Sequence, residues 1–133
     1  MLRSIKSFLL SLALCISLSV PCFALEIPSG GAVSPEQGMA LLEEHAGKLT
    51  ILDVRTPGEF ALGHAPGALH IPVGELRSRV AEVPAGPVLI VCRSGRRAQS
   101  AANILLHSGR PAEGLWYLSG YTDYSGGAVR FHD

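Results

Sequence analysis

The feature that most restricts the fold is a run of four apolar residues at positions 88–91, followed at once by Cys92. The run is Val-Leu-Ile-Val, without the polar–apolar alternation of a half-exposed strand. A short, continuous apolar run rich in β-branched residues is typical of a strand buried on both faces of a parallel sheet. Residues 50–54 have the same character, and residues 115–118 predict a third strand. The sequence therefore predicts a parallel sheet with both faces covered.

A helix is predicted before the first of these strands. Ser34 is placed to cap it, Pro35 occupies the first helical position, and Gln37 can close a capping box. Gly47 supplies the left-handed conformation that ends a helix, so the helix is expected to run to about residue 46. Its expected buried face consists of Met39, Leu42 and Ala46.

A second helix is predicted over residues 97–107, directly after the Cys92 loop, and Gly109 ends it. Its apolar residues at helical spacing are Ala98, Ala101, Ala102 and Leu105. Residues 63–72 predict a loop with a short extended piece at 68–71, and the tail 125–133 has no clear assignment. Strands and helices thus alternate, which predicts a single α/β domain with a mainly parallel central sheet flanked by helices.

The first 24 residues have the three-part layout of a signal peptide. Arg3 and Lys6 precede an uncharged, largely apolar stretch, and Pro21 is followed by a Cys-Phe-Ala sequence suited to cleavage after Ala24. The apolar stretch is shorter than the roughly 20 residues of a membrane-spanning helix. We therefore expect residues 1–24 to be removed, a periplasmic or secreted mature protein, and no stable membrane insertion after cleavage. An uncleaved membrane anchor is the alternative.

Charge and cysteine content narrow the function of residues 25–133. Nine Lys and Arg face eleven Asp and Glu there, so no basic excess predicts a nucleic acid partner. Loss of Cys15 and Cys22 with the signal peptide leaves Cys92 as a lone thiol. Exported proteins normally pair their cysteines, so a lone thiol suggests reactivity, although a buried Cys acting as a small apolar residue is an alternative.

The surroundings of Cys92 predict an anion site. Ligands of open α/β sheets bind beyond the carboxyl ends of strands, where Cys92 stands. The N–H groups of a short loop and of the following helix form an anion-binding nest, which also favours a thiolate. Arg93, Arg96 and Arg97 crowd this helix N-terminus, where cations are normally unfavourable. We interpret them as ligands of an anion; a solvated basic surface is the alternative.

The chain resembles the rhodanese family. The resemblance rests on three segments. The first begins with Leu52-Asp53-Val54-Arg55 and continues through Glu59-Phe60 to residues 63–72. The second is the loop at 92–98, and the third is Leu118-Ser119-Gly120. It covers about residues 33–124, within a rhodanese-like domain of residues 25–133. The small periplasmic members of the phage-shock type are most similar, because they also join a signal peptide to a single domain.

The resemblance implies a thiosulfate sulfurtransferase. Cys92 would be the catalytic nucleophile, taking sulfur from thiosulfate or a similar donor as a persulfide and passing it to cyanide or a thiol. Donor and persulfide would be held by the loop residues Arg93, Ser94, Gly95, Arg96 and Arg97. The implied partners are small-molecule sulfur donors and acceptors, without a cofactor, and the oligomeric state is left open.

Two other functions compete with this one. A persulfide carrier or binding module of the same fold would need no turnover. A cysteine phosphatase also holds an anion in a Cys-to-Arg loop, but with five residues between Cys and Arg, whereas four separate Cys92 from Arg97.

The remaining polar residues are interpreted as structural. Asp53 and Arg55 are expected to pair with each other or with Glu59, and His64 lies in a predicted turn. The histidines show no ligand spacing with Cys92, so no metal site is expected.

Overall fold

A computed structural model describes residues 25–133, and the expected signal peptide lies outside this range. Its centre is a parallel five-stranded sheet with the order β1-β5-β4-β2-β3. The strands are β1 (Gly31–Val33), β2 (Thr50–Asp53), β3 (Leu69–His70), β4 (Val88–Val91) and β5 (Leu115–Leu118). An antiparallel hairpin follows, formed by β6 (Tyr121–Asp123) and β7 (Arg130–His132).

Four α-helices connect these strands. They are α1 (Pro35–Glu44), α2 (Pro57–Leu62), α3 (Val73–Arg79) and α4 (Arg96–His107). Short 3-10 turns span Val80–Glu82 and Ser125–Gly127. The predicted α/β fold with a parallel sheet between helices is confirmed.

The apolar side chains of β4 divide between two cores. Val88 and Ile90 face α3 and α4, whereas Leu89 and Val91 face α1 and β7. All four are fully buried, as expected for a strand covered on both faces. Cys92 follows on the α4 side of the sheet, so its side chain is directed toward the start of that helix.

Helix α4 agrees closely with its prediction. It begins one residue earlier than expected, at Arg96, and ends at His107. The four residues predicted to face the core, Ala98, Ala101, Ala102 and Leu105, are all buried. The small side chains of the three alanines let the helix lie close to β4 and β5, and this fixes its N-terminus next to Cys92.

The predicted buried face of α1 is only partly correct. The helix has the expected Ser34 capping box, and Leu42 packs partly buried against the core, but Ala46 lies beyond the end of the helix and is exposed. The helix also buries Gly38 and Leu41, which were not predicted. A Cβ on Gly38 would lie 2.9 Å from Leu118 and 3.0 Å from Phe131. The helix therefore packs against β7 through the face that contains Gly38. This packing could not be predicted, because the tail that forms β7 had no assignment.

Several short elements were missed. Helix α2 lies between the first two predicted strands and begins with a complete capping box formed by Thr56 and Glu59. Helix α3 replaces a segment that had no assignment, and β1, β6 and β7 contain three residues each. Such short elements carry too little periodicity to be recognised in a sequence.

Within residues 25–133, no helix has both the length and the apolar character needed to cross a membrane.

Candidate active site

Cys92 lies between the end of β4 and the start of α4. Its Sγ accepts hydrogen bonds from the backbone N–H groups of Gly95, at 3.0 Å, and Ala98, at 3.4 Å. The first N–H groups of a helix have no partner within the helix, and the N-cap residue of α4 is Gly95, which has no side chain to accept from them. The Cys92 sulfur thus takes the place that the side-chain oxygen of the N-cap residue takes in α1 and α2.

Cys92 is buried, with only 1% of the residue exposed. The cause is the inward direction of Sγ, which follows from its hydrogen bonds to Gly95 and Ala98. It is also the one cysteine among the described residues and is unpaired.

Gly95 gives the loop its shape. Its backbone has a φ of +89°, in the left-handed region that side chains disfavour. A Cβ at this position would lie 2.9 Å from the carbonyl oxygen of Leu118 at the end of β5. Glycine therefore allows the loop to turn tightly against β5 while its N–H group points at sulfur.

Arg97 is bound to a carboxylate from another helix. Its guanidinium donates to both oxygens of Glu59, at 2.7 and 2.9 Å. Glu59 also accepts from the N–H group and the hydroxyl of Thr56, so it caps α2 and joins α2 to α4. The hydrogen bonds from Arg97 hold the pKa of Glu59 well below its ordinary value, against the opposing effect of burial.

The other predicted loop residues face outward. Arg93, Ser94 and Arg96 are exposed, whereas Gly95 is buried. Arg93 borders a cavity of about 420 Å³ together with Arg55, Glu59 and Tyr124. The loop thus brings together Cys92, Gly95 and the start of α4, places Arg93 at a cavity, and directs Arg97 to Glu59. This arrangement also explains how three arginines are tolerated at a helix N-terminus, since one is neutralised and two are solvated.

A buried ion pair forms the wall behind this cavity. Arg55 binds both carboxylate oxygens of Asp53, at 2.7 to 3.0 Å, and donates to the carbonyl of Gly63 at 2.7 Å. The pairing expected for these two residues is confirmed. His64 Nδ1 lies 2.8 Å from the carbonyl oxygen of Phe60, in agreement with its structural interpretation.

Two residues of the wall were not foreseen from the sequence. The hydroxyl of Thr122 in β6 donates to the carbonyl oxygen of Cys92 at 2.9 Å. The ring of Tyr124 lies under the guanidinium of Arg55, with 4.5 Å between the guanidinium carbon and the ring centroid. No local pattern marks either residue, because both reach the site through the hairpin β6–β7.

The larger of the two cavities described lies elsewhere. Its volume is about 970 Å³, and its lining includes Pro87 and Gly114, which directly precede β4 and β5. Arg110 also borders it but donates to the carbonyl groups of Pro84 and Gly86, at 2.6 and 2.9 Å. Ligands of open α/β sheets bind at the opposite, carboxyl ends of the strands. The smaller cavity beside Cys92 is therefore the candidate site.

Within the described residues, no group of three or more His, Cys, Asp and Glu side chains is arranged to hold a metal ion.

The arrangement just described corresponds to a known family. The model of the Rhodanese-like domain family matches residues 34–132. The chain belongs to this family. The resemblance seen in the sequence motifs is thus confirmed, and the protein is a member of a family of rhodanese-fold sulfurtransferases and sulfur carriers.

Curated relatives include proteins named for both activities. Thiosulfate sulfurtransferase GlpE of Pseudomonas entomophila is 39% identical over 79 residues, which are 58% of this chain and 69% of that protein. YrkF of Bacillus subtilis, named as a candidate sulfur carrier protein, is 42% identical over 62 residues, or 46% of this chain. The match spans only 34% of YrkF, well under two thirds of its length.

A solved structure supports the same fold. The human single-domain sulfurtransferase TSTD1 is 28% identical and superposes with a TM-score of 0.55. The match covers 68% of this chain and 89% of the human protein.

Proposed function

We propose that this protein is a thiosulfate sulfurtransferase that carries sulfur on Cys92. The observation that supports this most is the pair of backbone N–H groups, from Gly95 and Ala98, directed at the Cys92 sulfur at the N-terminus of α4. These groups favour the thiolate that must attack and the anionic persulfide that results. Thiosulfate is proposed as the donor because GlpE, a relative of similar size, bears that substrate in its name.

The proposed reaction has two steps. The Cys92 thiolate attacks the outer sulfur of thiosulfate, the S–S bond of the donor breaks, and its electron pair leaves with sulfite. A new S–S bond remains on the enzyme as a persulfide anion. Cyanide or a thiolate then attacks the outer sulfur, and the electron pair of the breaking bond returns to Cys92. This is covalent catalysis of the ping-pong kind.

Arg93 is proposed to attract the donor. It is exposed and borders the cavity beside Cys92, whereas Arg97 is held by Glu59. Arg96 is also exposed and would add to the positive field at the entrance. Ser94 and Gly95 complete the loop that would enclose the persulfide.

A persulfide carrier is the second candidate. It is favoured by the burial of Cys92, which is 1% exposed, because a shielded persulfide would react slowly with small acceptors. A carrier and an enzyme differ in turnover but not in loading. The test must therefore measure both.

The first prediction concerns Cys92→Ser. We expect this variant to fold like the wild type, because serine is similar in size and its oxygen can accept the same N–H groups. It should neither gain a sulfur atom from thiosulfate nor form thiocyanate when cyanide is added. Intact mass spectrometry reports loading, and a thiocyanate assay reports turnover. Equal thiosulfate-dependent turnover by the variant would exclude Cys92 as the nucleophile.

The wild type distinguishes the candidate functions in the same experiment. Loading followed by repeated thiocyanate formation identifies an enzyme, whereas loading without repeated turnover identifies a carrier. Hydrolysis of an aryl phosphate, dependent on Cys92, would instead identify a phosphatase.

We also propose that the protein acts outside the cytoplasm after removal of residues 1–24. The support is the layout of those residues, in which an uncharged apolar stretch follows Arg3 and Lys6 and precedes the small residue Ala24.

A further inference from the structure

The hydroxyl group of Tyr124 stands out among the polar atoms of the structure. It is the one buried side-chain nitrogen or oxygen atom in residues 25–133 that has no hydrogen-bond partner there. Native proteins satisfy the great majority of such atoms, because a buried polar group without a partner costs about 1–3 kcal/mol. An exception at a candidate site indicates a partner that arrives with function.

Tyr124 directly follows β6, and β6 holds this part of the chain next to Cys92. Two residues earlier, the hydroxyl of Thr122 donates to the Cys92 carbonyl at 2.9 Å, which fixes this part of the chain against the loop. Tyr124 itself borders the cavity of about 420 Å³ that Arg93 and Arg55 also line. Tyr124 therefore contributes to the wall of the cavity into which the donor is proposed to enter, and its hydroxyl is covered when the cavity is empty.

The structural role of Tyr124 does not require its hydroxyl. Its ring contacts the guanidinium of Arg55 at 4.5 Å, a contact that a phenylalanine ring could also make. The hydroxyl of Thr122 lies close enough to influence Tyr124, but no hydrogen bond of good geometry joins the two hydroxyls, and Thr122 donates its own proton to the Cys92 carbonyl. The phenol group thus has a proton to donate and no well-placed acceptor within residues 25–133.

The ionisation of Tyr124 fits a donor role. Burial raises the pKa of Tyr124 above its ordinary value, and the nearby Thr122 only partly opposes the rise. The negative charge of Asp53 acts on the pKa of Tyr124 in the same direction as burial, whereas the positive charge of Arg55 opposes it. The hydroxyl is therefore protonated at neutral pH, in the form that donates a hydrogen bond to an anion.

We propose that the Tyr124 hydroxyl donates a hydrogen bond to an anionic acceptor that occupies the cavity beside Cys92 during sulfur transfer. The acceptor is either an oxygen of the thiosulfate donor or the outer sulfur of the Cys92 persulfide, which share the same hydrogen-bonding chemistry. This assignment rests on the proposed function. It adds a substrate-binding residue from β6–β7 to a site otherwise built from the ends of β2, β4 and α4.

The variant Tyr124→Phe tests this by removing only the hydroxyl. Tyr121→Phe is the matched control, because Tyr121 belongs to the same hairpin but is 47% exposed. In ping-pong kinetics, kcat/KM for thiosulfate reports the donor step and kcat/KM for cyanide reports the persulfide step. A hydrogen bond to a charged partner is worth about tenfold to a hundredfold.

The two kinetic ratios distinguish the two acceptors. If the hydroxyl binds thiosulfate, Tyr124→Phe lowers kcat/KM for thiosulfate by about tenfold or more and leaves kcat/KM for cyanide unchanged. If it binds the persulfide, the variant raises kcat/KM for cyanide and shortens the lifetime of the loaded protein, because the persulfide loses a stabilising contact. The proposal is overturned if both ratios stay within about twofold of the wild type, as we expect for Tyr121→Phe.

A second measurement does not depend on turnover. Thiosulfate is added to the Cys92→Ser protein, which cannot react, and tyrosine ionisation is followed by phenolate absorbance. An acceptor on Tyr124 should move the ionisation of one tyrosine to higher pH, and Tyr124→Phe should abolish that change. A wild type without thiosulfate turnover would refute the proposed enzyme. The role of Tyr124 would be refuted by a different result, in which thiosulfate leaves the tyrosine titration unchanged and Tyr124→Phe leaves both loading and the lifetime of the persulfide unaltered.

Discussion

Gly95 occupies the left-handed region of backbone space between Cys92 and the first turn of α4, with a φ of +89°. Any other residue at this position would destabilise the folded protein in two separate ways. A side chain in this conformation costs roughly 1–2 kcal/mol. A Cβ would in addition lie 2.9 Å from the Leu118 carbonyl, so either the loop or β5 would have to move.

Gly95→Ala should therefore impair both folding and sulfur transfer. We expect the free energy of unfolding to fall by about 2–4 kcal/mol, from the strained φ and the backbone contact together. Loading by thiosulfate should also fall, because a displaced Gly95 N–H no longer reaches the Cys92 sulfur. Urea denaturation and intact mass spectrometry measure the two effects.

Gly109→Ala is the control for this substitution. Gly109 also has a positive φ, +95°, but no atom lies within 4 Å of a Cβ placed there. It should lose only the conformational part of the stability and retain loading. Equal losses in the two alanine variants would show that the contact with Leu118 is unimportant.

The sequence was informative about this loop but not about its partners. An apolar strand, Gly95 and a helical pattern occur consecutively, so the nest of N–H groups around Cys92 could be inferred locally. The partner of Arg97 is Glu59, which lies 38 residues earlier. Arg97 was therefore interpreted as a free anion ligand, because nothing in the local sequence indicates a carboxylate from another helix.

At the scale of elements, the Arg97–Glu59 ion pair joins the first turns of α2 and α4. Both side chains are about one-third exposed, at 32% and 30%. The pair is bidentate, and Glu59 is held further by Thr56. Such a pair positions the two helix N-termini relative to each other more firmly than an isolated surface pair does.

This ion pair predicts a pH dependence of stability. Because Arg97 lowers the pKa of Glu59 in the folded state, the pair stabilises the protein fully above the unfolded value of about 4.3. The stabilisation is lost as pH falls through the lower folded value. Glu59→Gln should thus be less stable than the wild type at neutral pH, and the difference should shrink below about pH 4. Urea denaturation over this pH range measures it.

Glu82→Gln provides the comparison. Glu82 also binds an arginine through two hydrogen bonds, from Arg79 at 2.6 and 2.9 Å, but both side chains lie on the surface of one short segment. Surface pairs of this kind contribute little to stability. If Glu82→Gln lowers the free energy of unfolding as much as Glu59→Gln does, the ion pair between α2 and α4 stabilises the protein no more than a surface pair.

Among the helices, the longer ones were the predictable ones. The 12 residues of α4 repeat their small apolar side chains often enough to mark one face, and that face was correct. Helix α2 has six residues and no buried side chain, so it leaves no apolar pattern. The capping box of Thr56 and Glu59 and the proline at position 57, the first of the helix, were the signals available for it, of the same kind as those that identified α1.

At the scale of the whole molecule, the alternation of strands and helices was sufficient for the fold, but the closing hairpin was not foreseen. Phe131 of β7 packs against the same core as Leu41 of α1. Its strand pairs with β6 only because residues 125–127 reverse the chain. Three-residue strands with mixed burial resemble a loop in the sequence, and the tail therefore stayed unassigned.

The start of the described chain is attached to the domain by specific contacts. The carbonyl of Glu26 accepts a hydrogen bond from Gln37 at 2.6 Å, and that of Pro28 accepts one from Trp116 at 2.6 Å. Ile27 packs against the core on the α1 side. Leu25, by contrast, is 46% exposed. Cleavage after Ala24 would therefore leave every one of these contacts in place.

We accordingly predict that the mature protein begins at Leu25 and that these contacts limit further shortening. A protein starting at Leu25 should equal the processed protein in stability, whereas one starting at Ser29 should lose about 1–3 kcal/mol, because the Trp116 indole N–H loses its acceptor and Ile27 its burial. Expression of the full chain in a bacterium with an outer membrane, followed by fractionation and N-terminal sequencing, tests the processing. Recovery of Met1 in the membrane fraction would contradict cleavage and identify an anchored protein.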